Sequence, residues 1–302
     1  GCPHIPRPLA LDIIQELEEK SGWMKKMKTK EEDEEDVLKK MVAVHPVFRD
    51  LPEEVKKELV VMPSKDLTAL PGMNRRQRRK IQREGATLHL FAGEDDGFTL
   101  SQAVKSAGGD VQTLIELDQK RGPGHDLMSS DPYATLLRLA FDNRIRGILA
   151  GPNCRTRSVL RNYRMTPECH GPRPLREWGG EEFGRRDLRK DEKMKVWQDD
   201  VMLFRTLLLY VLAVHVEKTK DEEEKEEGIK RDAKTEEQKT GGEGWKKIIL
   251  ALEQPSAPEY LPKTVSFWWT DQWRKMKEMY DLQEIKFNQG DWKGEEGGDR
   301  KS

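Results

Sequence analysis

Four short apolar runs constrain the fold of this 302-residue chain more than any other feature. They occupy residues 87–90, 111–117, 145–150 and 248–252. Helix-like segments at 100–107 and 132–143 separate the first three runs. Strands that alternate with helices are typical of parallel sheets, because each crossover connection needs a helix to return the chain. The sequence therefore predicts an α/β fold, with a parallel-rich sheet and helices on both faces.

The first run leads into a loop that contains Phe91, Gly93 and Gly97. A glycine-containing turn after the first strand of an α/β unit lets the backbone approach a bound ligand. The next run ends in two carboxylates, Glu116 and Asp118, about 20 residues beyond that turn, where an acid can accept hydrogen bonds from a ribose. This spacing indicates a nucleotide-type site.

The third run delivers a lone cysteine, Cys154, into a polar loop that is rich in glycine and arginine. Arg155 and Arg157 flank the thiol, and nearby cations favour the thiolate, which is the attacking species in nucleophilic catalysis. Cys154 is therefore a candidate nucleophile. The alternative is a small apolar residue beside basic surface positions.

Taken in order, these loops resemble those of the cytosine-5 DNA methyltransferases. The resemblance covers residues 87–160 and 245–292. It is closer still to methyltransferase-like segments of retrotransposon-encoded polyproteins, with the strings Asn-Cys-Arg-Thr-Arg-Ser and Phe-Asn-Gln-Gly-Asp in common. It implies a Rossmann-like methyltransferase fold that binds S-adenosylmethionine. The positions that it implies for the cofactor are Phe91, Gly93, Gly97, Glu116 and Asp126.

The resemblance also implies a reaction on cytosine. Cys154 would add to C6 of the ring, Glu253 would hydrogen-bond and protonate the ring edge, and C5 would accept a methyl group from S-adenosylmethionine. A cytosine in a duplex would first have to leave the base stack. Arg155, Arg157 and Arg161 would contact phosphates around that nucleotide. The expected partner is therefore DNA, with RNA as the alternative.

Departures from the family's pattern favour two other hypotheses. Acidic residues at 94–96 stand where the family has glycines, and Asn153 and Arg155 flank the cysteine in place of proline and glutamine. One alternative is a catalytically inactive methyltransferase-fold module that binds nucleic acid or a protein partner. The other is a structural spacer of a retrotransposon polyprotein, in which flanking domains would accompany this chain.

Composition predicts that part of the chain lies outside a packed core. Charged residues make up 36% of the sequence, whereas about 25% is typical of globular domains. Residues 1–85 are expected to form a charged lead-in, mostly helical or disordered, and 218–244 a disordered charged insertion. The expected core occupies 86–217 and 245–292, and residues 293–302 form a disordered tail.

Cysteine content and hydropathy predict an intracellular protein, nuclear or cytoplasmic. Cys2, Cys154 and Cys169 are odd in number and sparse, which is typical of a reducing compartment. The most apolar stretch, 201–214, contains Arg205 and is shorter than the ~20 residues of a membrane span, so it predicts a buried helix and no membrane partner. The cysteines and histidines lack the spacing of a zinc site, so no metal is expected.

Charge is segregated along the chain, although the formal net charge is only −1. Residues 31–36 are all acidic, whereas residues 74–80 include five cations. The basic run predicts a phosphate contact or a nuclear targeting signal, and a solvated helix face is the alternative.

Overall fold

The computed structural model describes residues 33–65, 67–68, 70–94, 99–162, 172–226, 248–255 and 264–286. The chain divides into two compact units. The sheet unit comprises residues 1–153 and 194–253, and the second unit comprises residues 154–193 and 254–302. The segment 86–217, predicted as one continuous part of the core, therefore contributes to both units.

A four-stranded parallel sheet forms the core of the sheet unit. The strands are β1 (Ala86–Leu90), β2 (Leu114–Leu117), β3 (Ile145–Ala150) and β4 (Ile249–Leu252), in the order β2-β1-β3-β4. In the register, Thr87 lies opposite Leu114 and Gly147, and Gly147 lies opposite Ile249. These pairings confirm the predicted α/β class and the parallel sheet.

Local capping makes β2 shorter than predicted. Residues Val111–Thr113 form a 3-10 turn, because the Asp110 carboxylate accepts a hydrogen bond from the Gln112 amide at 2.8 Å. Such a side-chain bond satisfies the backbone donor and starts a turn in place of a strand. The strand itself begins at Leu114.

The direction of strand addition reverses between β1 and β3. From β1 the chain crosses to β2 on one side and then returns to β3 on the other side. In open parallel sheets, such a reversal leaves a crevice beyond the carboxyl ends of the strands, and ligands bind there. The loops that follow β1 and β3 therefore flank the expected site.

Seven α-helices accompany the strands within the described residues. They are α1 (Glu34–Val44), α2 (Glu53–Leu59), α3 (Arg75–Glu84), α4 (Leu100–Ser106), α5 (Ser130–Phe141), α6 (Lys190–Glu226) and α7 (Asp271–Tyr280). Of these, α4 lies between β1 and β2 in sequence, and α5 lies between β2 and β3.

The long helix α6 carries the most apolar stretch of the chain. Residues 201–213 are all buried, which confirms the predicted buried helix. The helix continues to Glu226, so residues 218–226 are helical where disorder was predicted, and the rest of the predicted insertion, 227–244, lies outside the described residues. In the described part of the chain, no helix is both long and apolar enough to cross a membrane.

The described part of the predicted lead-in, from residue 33 to residue 85, is largely helical and belongs to the sheet unit. Leu38, Phe48 and Leu59 are buried. The Tyr133 hydroxyl in α5 donates a hydrogen bond to the Leu59 carbonyl at 3.1 Å, and α1 and α5 are joined by an ion pair of Glu34 with Arg138. The apolar residues between the charges supply this part of the core.

The second unit has a core of aromatic residues. The ring centroid of Trp273 in α7 lies 5.5 Å from that of Phe267 and 4.8 Å from that of Trp268. Arg173 pairs with Glu192 at 2.5 Å, and this hydrogen bond holds the pKa of the Glu192 carboxyl down to about 2. Packed rings and a paired carboxylate thus stabilise the unit.

Gly85 is required at the junction of α3 and β1, so we expect Gly85→Ala to lower the free energy of unfolding by about 2–4 kcal/mol. Its φ is +86°, and an added Cβ would lie 2.7 Å from Arg146 Nε and 2.9 Å from the Arg144 carbonyl oxygen. The control is Gly72→Ala, at φ +70° with no atom within 4 Å, which should cost only about 1–2 kcal/mol. Urea denaturation of both variants measures the difference, and equal losses would contradict the expected clash.

Candidate functional site

A cavity of about 150 Å³ opens in the sheet unit at the carboxyl ends of β1, β2 and β3. It therefore occupies the crevice that the reversal of strand order predicts. Its walls come from the loop after each of the three strands and from α6. The lining residues are Phe91, Leu117, Asp118, Gln119, Lys120, His125, Asp126, Leu127, Gly151, Asn153 and Met202.

Phe91 follows β1 directly and lines the cavity in an unusual backbone conformation. Its φ is +62°, in the left-handed region that side chains other than glycine rarely adopt. The next residue anchors the turn, because the Ala92 amide donates a hydrogen bond to the Leu117 carbonyl at 3.1 Å. Strained residues of this kind cluster at ligand sites, where the surrounding structure holds them in place.

Gly93 is held by protein groups and does not line the cavity. Its amide donates to Asp118 Oδ2 at 2.9 Å, and its carbonyl accepts from Arg121 Nε at 2.8 Å. Its φ is +75°, and an added Cβ would meet no atom within 4 Å. The turn therefore needs glycine for its backbone angle, and the space beside Gly93 is not filled by the described protein atoms.

The Glu116 carboxylate has its hydrogen-bond partners within the sheet unit. Its carboxylate accepts hydrogen bonds from the Ser101 hydroxyl at 2.8 Å and from Arg121 Nη1 at 3.4 Å, and it lies 3.2 Å from His89 Nδ1. Burial opposes its ionisation, but the hydrogen bonds from Ser101 and His89 outweigh burial and hold the pKa of this carboxyl below its usual value. Glu116 is absent from the cavity wall.

Asp118, two residues further on, lines the cavity, whereas Glu116 does not. Its two oxygens accept one backbone amide each, from Gly93 at 2.9 Å and from Lys120 at 2.8 Å. A carboxylate has about four acceptor sites, so capacity for a ligand remains. The sequence did carry this signal, because the second run ends in both acids.

Asp126 lines the cavity, and its neighbour His125 is a site residue that the sequence did not single out. Asp126 Oδ1 accepts a hydrogen bond from the Met128 amide at 2.9 Å, which leaves the other oxygen available. The Nδ1 atom of His125 is buried and has no hydrogen-bond partner among the described residues. A buried orphan of this kind usually indicates that water or a ligand supplies the partner.

Glu253 lies directly after β4, and its carboxylate reaches the loop after β3. The Glu253 amide donates to the Ala150 carbonyl at 2.8 Å. A Cβ added at Gly151 would lie 3.3 Å from Glu253 Oε2, and Gly151 itself lines the cavity. Glu253 therefore stands beside the cavity wall at the carboxyl edge of the sheet.

Cys154 begins the second unit, directly after Asn153. It is half-buried and forms no disulfide. Among the neighbouring arginines, Arg161 donates from Nη1 to the Arg173 carbonyl at 3.2 Å. It also donates from Nε to the carbonyl of the half-buried Arg155. These groups are engaged within the unit.

Arg157 was predicted to contact a phosphate, but its side chain is buried. Only 6% of the residue is exposed, and its guanidinium carbon lies 6.0 Å from the centroid of the Phe267 ring. A cation over an aromatic face is stabilised within the protein. The structure therefore does not offer this side chain to a phosphate.

Several predicted features lie outside the described residues. They are Cys2, Gly97, Cys169, the segment 287–291 and the predicted tail, 293–302. Within the ranges that the structure does describe, no group of three or more histidine, cysteine, aspartate and glutamate side chains could hold a metal ion.

Comparisons with known proteins do not place the chain in a family. No protein-family model matches it, and no curated protein or solved structure matches it. Its function is therefore inferred from the cavity and from the residues around it.

Proposed function

We propose that the cavity binds the nucleoside part of S-adenosylmethionine, and that the chain is a divergent cytosine-5 DNA methyltransferase-like domain of a mobile-element polyprotein. One observation carries the proposal. The cavity lies where strand order reverses, and Phe91, Asp118 and Asp126 reach it from the loops after β1 and β2. A Rossmann-like methyltransferase fold, with helices on both faces of the sheet, accounts for this arrangement.

The lining residues fit a nucleoside. The Phe91 ring offers an apolar surface to the base, and the free acceptor sites of Asp118 suit ribose hydroxyls. Asp126 has one oxygen to accept from an exocyclic amino group, and His125 Nδ1 is a second polar group in need of a partner. The proposed ribose contact is Asp118, because Glu116 is occupied by Ser101, His89 and Arg121.

The size of the cavity limits what it holds. At about 150 Å³, it is below the roughly 300–1,000 Å³ of sites that enclose a drug-sized ligand. It is therefore too small to enclose the whole cofactor, and in this proposal the nucleoside occupies the cavity while the amino-acid end extends beyond it.

The proposed chemistry follows from the resemblance. Bound S-adenosylmethionine would supply an electrophilic methyl group. The Cys154 thiolate would add to C6 of a cytosine while Glu253 would donate a proton to the ring edge. C5 would then take the methyl group, which leaves S-adenosylhomocysteine, and loss of the C5 proton would break the S–C6 bond and release the thiolate. A thiolate at C6 is needed because the neutral ring is a poor nucleophile at C5. The polymer would be DNA, with RNA as the alternative.

A second candidate, an inactive module of the same fold, is favoured by specific observations. Glu116 and Arg157, both predicted to contact ligands, are instead engaged by protein groups. A domain that had lost turnover would have no need to keep these side chains available. Such a module would bind nucleic acid or a protein partner without transferring a methyl group.

Calorimetric titration of the full chain with S-adenosylmethionine tests the cofactor proposal. We expect saturable binding by the wild type, and a loss of roughly ten- to hundredfold in affinity for Asp126→Asn, because a hydrogen bond to a charged acceptor is removed. The substitution keeps the oxygen that accepts the Met128 amide, so the loop should stay folded.

The matched control is Asp131→Asn, an exposed carboxylate at the start of α5 that does not line the cavity. It should bind as tightly as the wild type. No binding by the wild type would overturn the cofactor proposal and leave the inactive module. Unchanged affinity of Asp126→Asn would show that the ligand binds elsewhere.

A further inference from the structure

Helix α3 displays a dense row of arginines that the proposed methyl transfer does not use. Arg75, Arg76, Arg79 and Arg83 are all exposed, and these four residues define the basic face. We propose that the basic face of α3 binds the phosphate backbone of a nucleic acid. The inference is independent of the cavity and of its cofactor.

The basic face is presented on a well-anchored helix. Asn74 and Gln77 form a reciprocal capping box, with hydrogen bonds of 2.9 and 3.1 Å. Ile81 is fully buried on the opposite side, and Gly85 ends the helix. A helix capped at both ends and packed through its one apolar residue holds its cations in a fixed row.

Two further arginines stand at the carboxyl end of α3. Arg144 Nη1 donates to the Arg83 carbonyl at 3.3 Å, and Arg146 Nε donates to the Glu84 carbonyl at 3.1 Å. Both bonds satisfy carbonyls that a helix end leaves without partners. They also add positive charge next to Arg83.

Most of the positive charge on α3 is not neutralised. The helix has six cations and one carboxylate, Glu84. That carboxylate pairs with Arg83 and Lys80, and Lys80 also pairs with Asp110. Within the described ranges, no hydrogen bond or ion pair engages the side chains of Arg75, Arg76 or Arg79.

This arrangement destabilises the isolated helix. Arg75, Arg79 and Arg83 repeat at i, i+4 and i+8, and like charges at that spacing repel by about 0.2–0.5 kcal/mol per pair. Arg75 and Arg76 also stand in the first turn, where the helix dipole disfavours cations. An anion laid along the basic face would relieve both effects.

Helix α1 shows how a solvated helix face differs. There Lys39 Nζ lies 2.8 Å from Glu35 Oε1, four residues earlier, and 3.3 Å from Asp36 Oδ1, three residues earlier. Mixed charges at these spacings support a helix in water. The basic face of α3 lacks such partners at its exposed arginines, which favours an external polyanion.

The geometry favours nucleic acid over a membrane surface. At 1.5 Å per residue, Arg75 and Arg83 are about 12 Å apart along the helix, which spans three or four phosphates of one strand at 3.4 Å each. An interfacial membrane helix needs an exposed apolar face. The one aliphatic residue of α3, Ile81, is buried in the protein.

The test is fluorescence anisotropy of a labelled 20-base-pair random duplex with the full chain, without cofactor, from 50 to 300 mM salt. We compare the wild type with Arg75→Gln/Arg76→Gln/Arg79→Gln. Each lost phosphate contact should reduce the magnitude of the slope of log K against log salt by about 0.9. The slope of the triple variant should therefore be smaller than that of the wild type by up to about 2.7. We also expect it to bind roughly tenfold more weakly, or worse, at 50 mM salt.

The matched control removes the same charge from exposed lysines elsewhere in the sheet unit, as Lys57→Gln/Lys65→Gln/Lys105→Gln. It should keep the wild-type slope. The lysine control should keep the wild-type Tm, since its replaced side chains are exposed. The arginine variant should have the same Tm or a slightly higher one, because it removes like-charge repulsion and cations from the first turn of α3.

Three results would overturn the proposal. They are no binding of the duplex by the wild type, an unchanged slope in the arginine variant, and an equal loss in the lysine control. Binding to vesicles of 30% phosphatidylserine but not to the duplex would assign the basic face to a membrane and overturn it as well. Failure of S-adenosylmethionine binding leaves these outcomes unaffected, so the two proposals fail separately.

Discussion

Replacing Arg205 by methionine is expected to lower the free energy of unfolding by about 3–5 kcal/mol. Arg205 lies in α6, is 1% exposed, and stacks 4.4 Å from the centroid of the Tyr133 ring. Its guanidinium donates to the carbonyls of Leu127 at 2.5 Å and Met128 at 3.0 Å, and to the carbonyl of Glu58 at 2.9 Å. Methionine fills similar volume but leaves three backbone acceptors without donors.

The substitution should also loosen the loop that lines the cavity. Leu127 and Met128 follow Asp126 directly, so their carbonyls tie the cavity loop to α6. Urea denaturation measures the change, with Lys193→Met as the control, an exposed position of the same helix where a change within about 0.5 kcal/mol is expected. A loss below about 1 kcal/mol in Arg205→Met would show that the acceptors find other partners.

The parallel sheet could be predicted because its strands carry their own signal. Buried parallel strands appear as continuous apolar runs, and β3 matches the predicted run from Ile145 to Ala150 at both ends. The start of β2 was predicted less accurately, because the Asp110 side chain accepts a hydrogen bond from the Gln112 amide and stabilises a turn there. The pattern of apolar residues does not reveal where a side-chain hydrogen bond replaces strand pairing of the backbone.

The packing of the N-terminal helices could not be predicted, because the contacts that bury them are distant in sequence. Arg138 pairs with Glu34, and the Tyr133 hydroxyl meets the Leu59 carbonyl. Composition counts Glu34 toward a charged lead-in. In the structure it pairs with Arg138, which lies in the core helix α5.

The loops that line the cavity could be predicted, but the individual side chains that reach it could not all be. Phe91 and Asp126 both reach the cavity, whereas the acid at the end of β2 that reaches it is Asp118 and not Glu116. The register decides this, because Glu116 lies opposite His89 and their side chains interact. The prediction that Arg157 contacts a phosphate failed because its aromatic partner, Phe267, is distant in sequence.

The second large effect concerns the proposed nucleophile. A duplex that carries 5-fluorocytosine should become covalently attached to the wild-type chain in the presence of S-adenosylmethionine. After the thiolate adds to C6 and C5 is methylated, release requires loss of a proton from C5, and fluorine at that position prevents it. Cys154→Ser should abolish the adduct completely, and Cys169→Ser should not.

Glu253 provides a graded test of the same reaction. Glu253→Gln should slow adduct formation by roughly 10²- to 10⁴-fold, because it removes the acid that supports charge on the ring. Asp131→Asn, the exposed carboxylate of α5, should leave the rate unchanged. An equal slowing in both variants would show that Glu253 is not the acid.

Denaturing electrophoresis of the full chain with a randomised pool of 5-fluorocytosine duplexes tests the methyltransferase proposal most directly. The predicted result is a protein–DNA band that survives denaturation, requires S-adenosylmethionine and disappears in Cys154→Ser. Absence of that band with the wild type, or its persistence in Cys154→Ser, would contradict the proposed cytosine-5 methyltransferase.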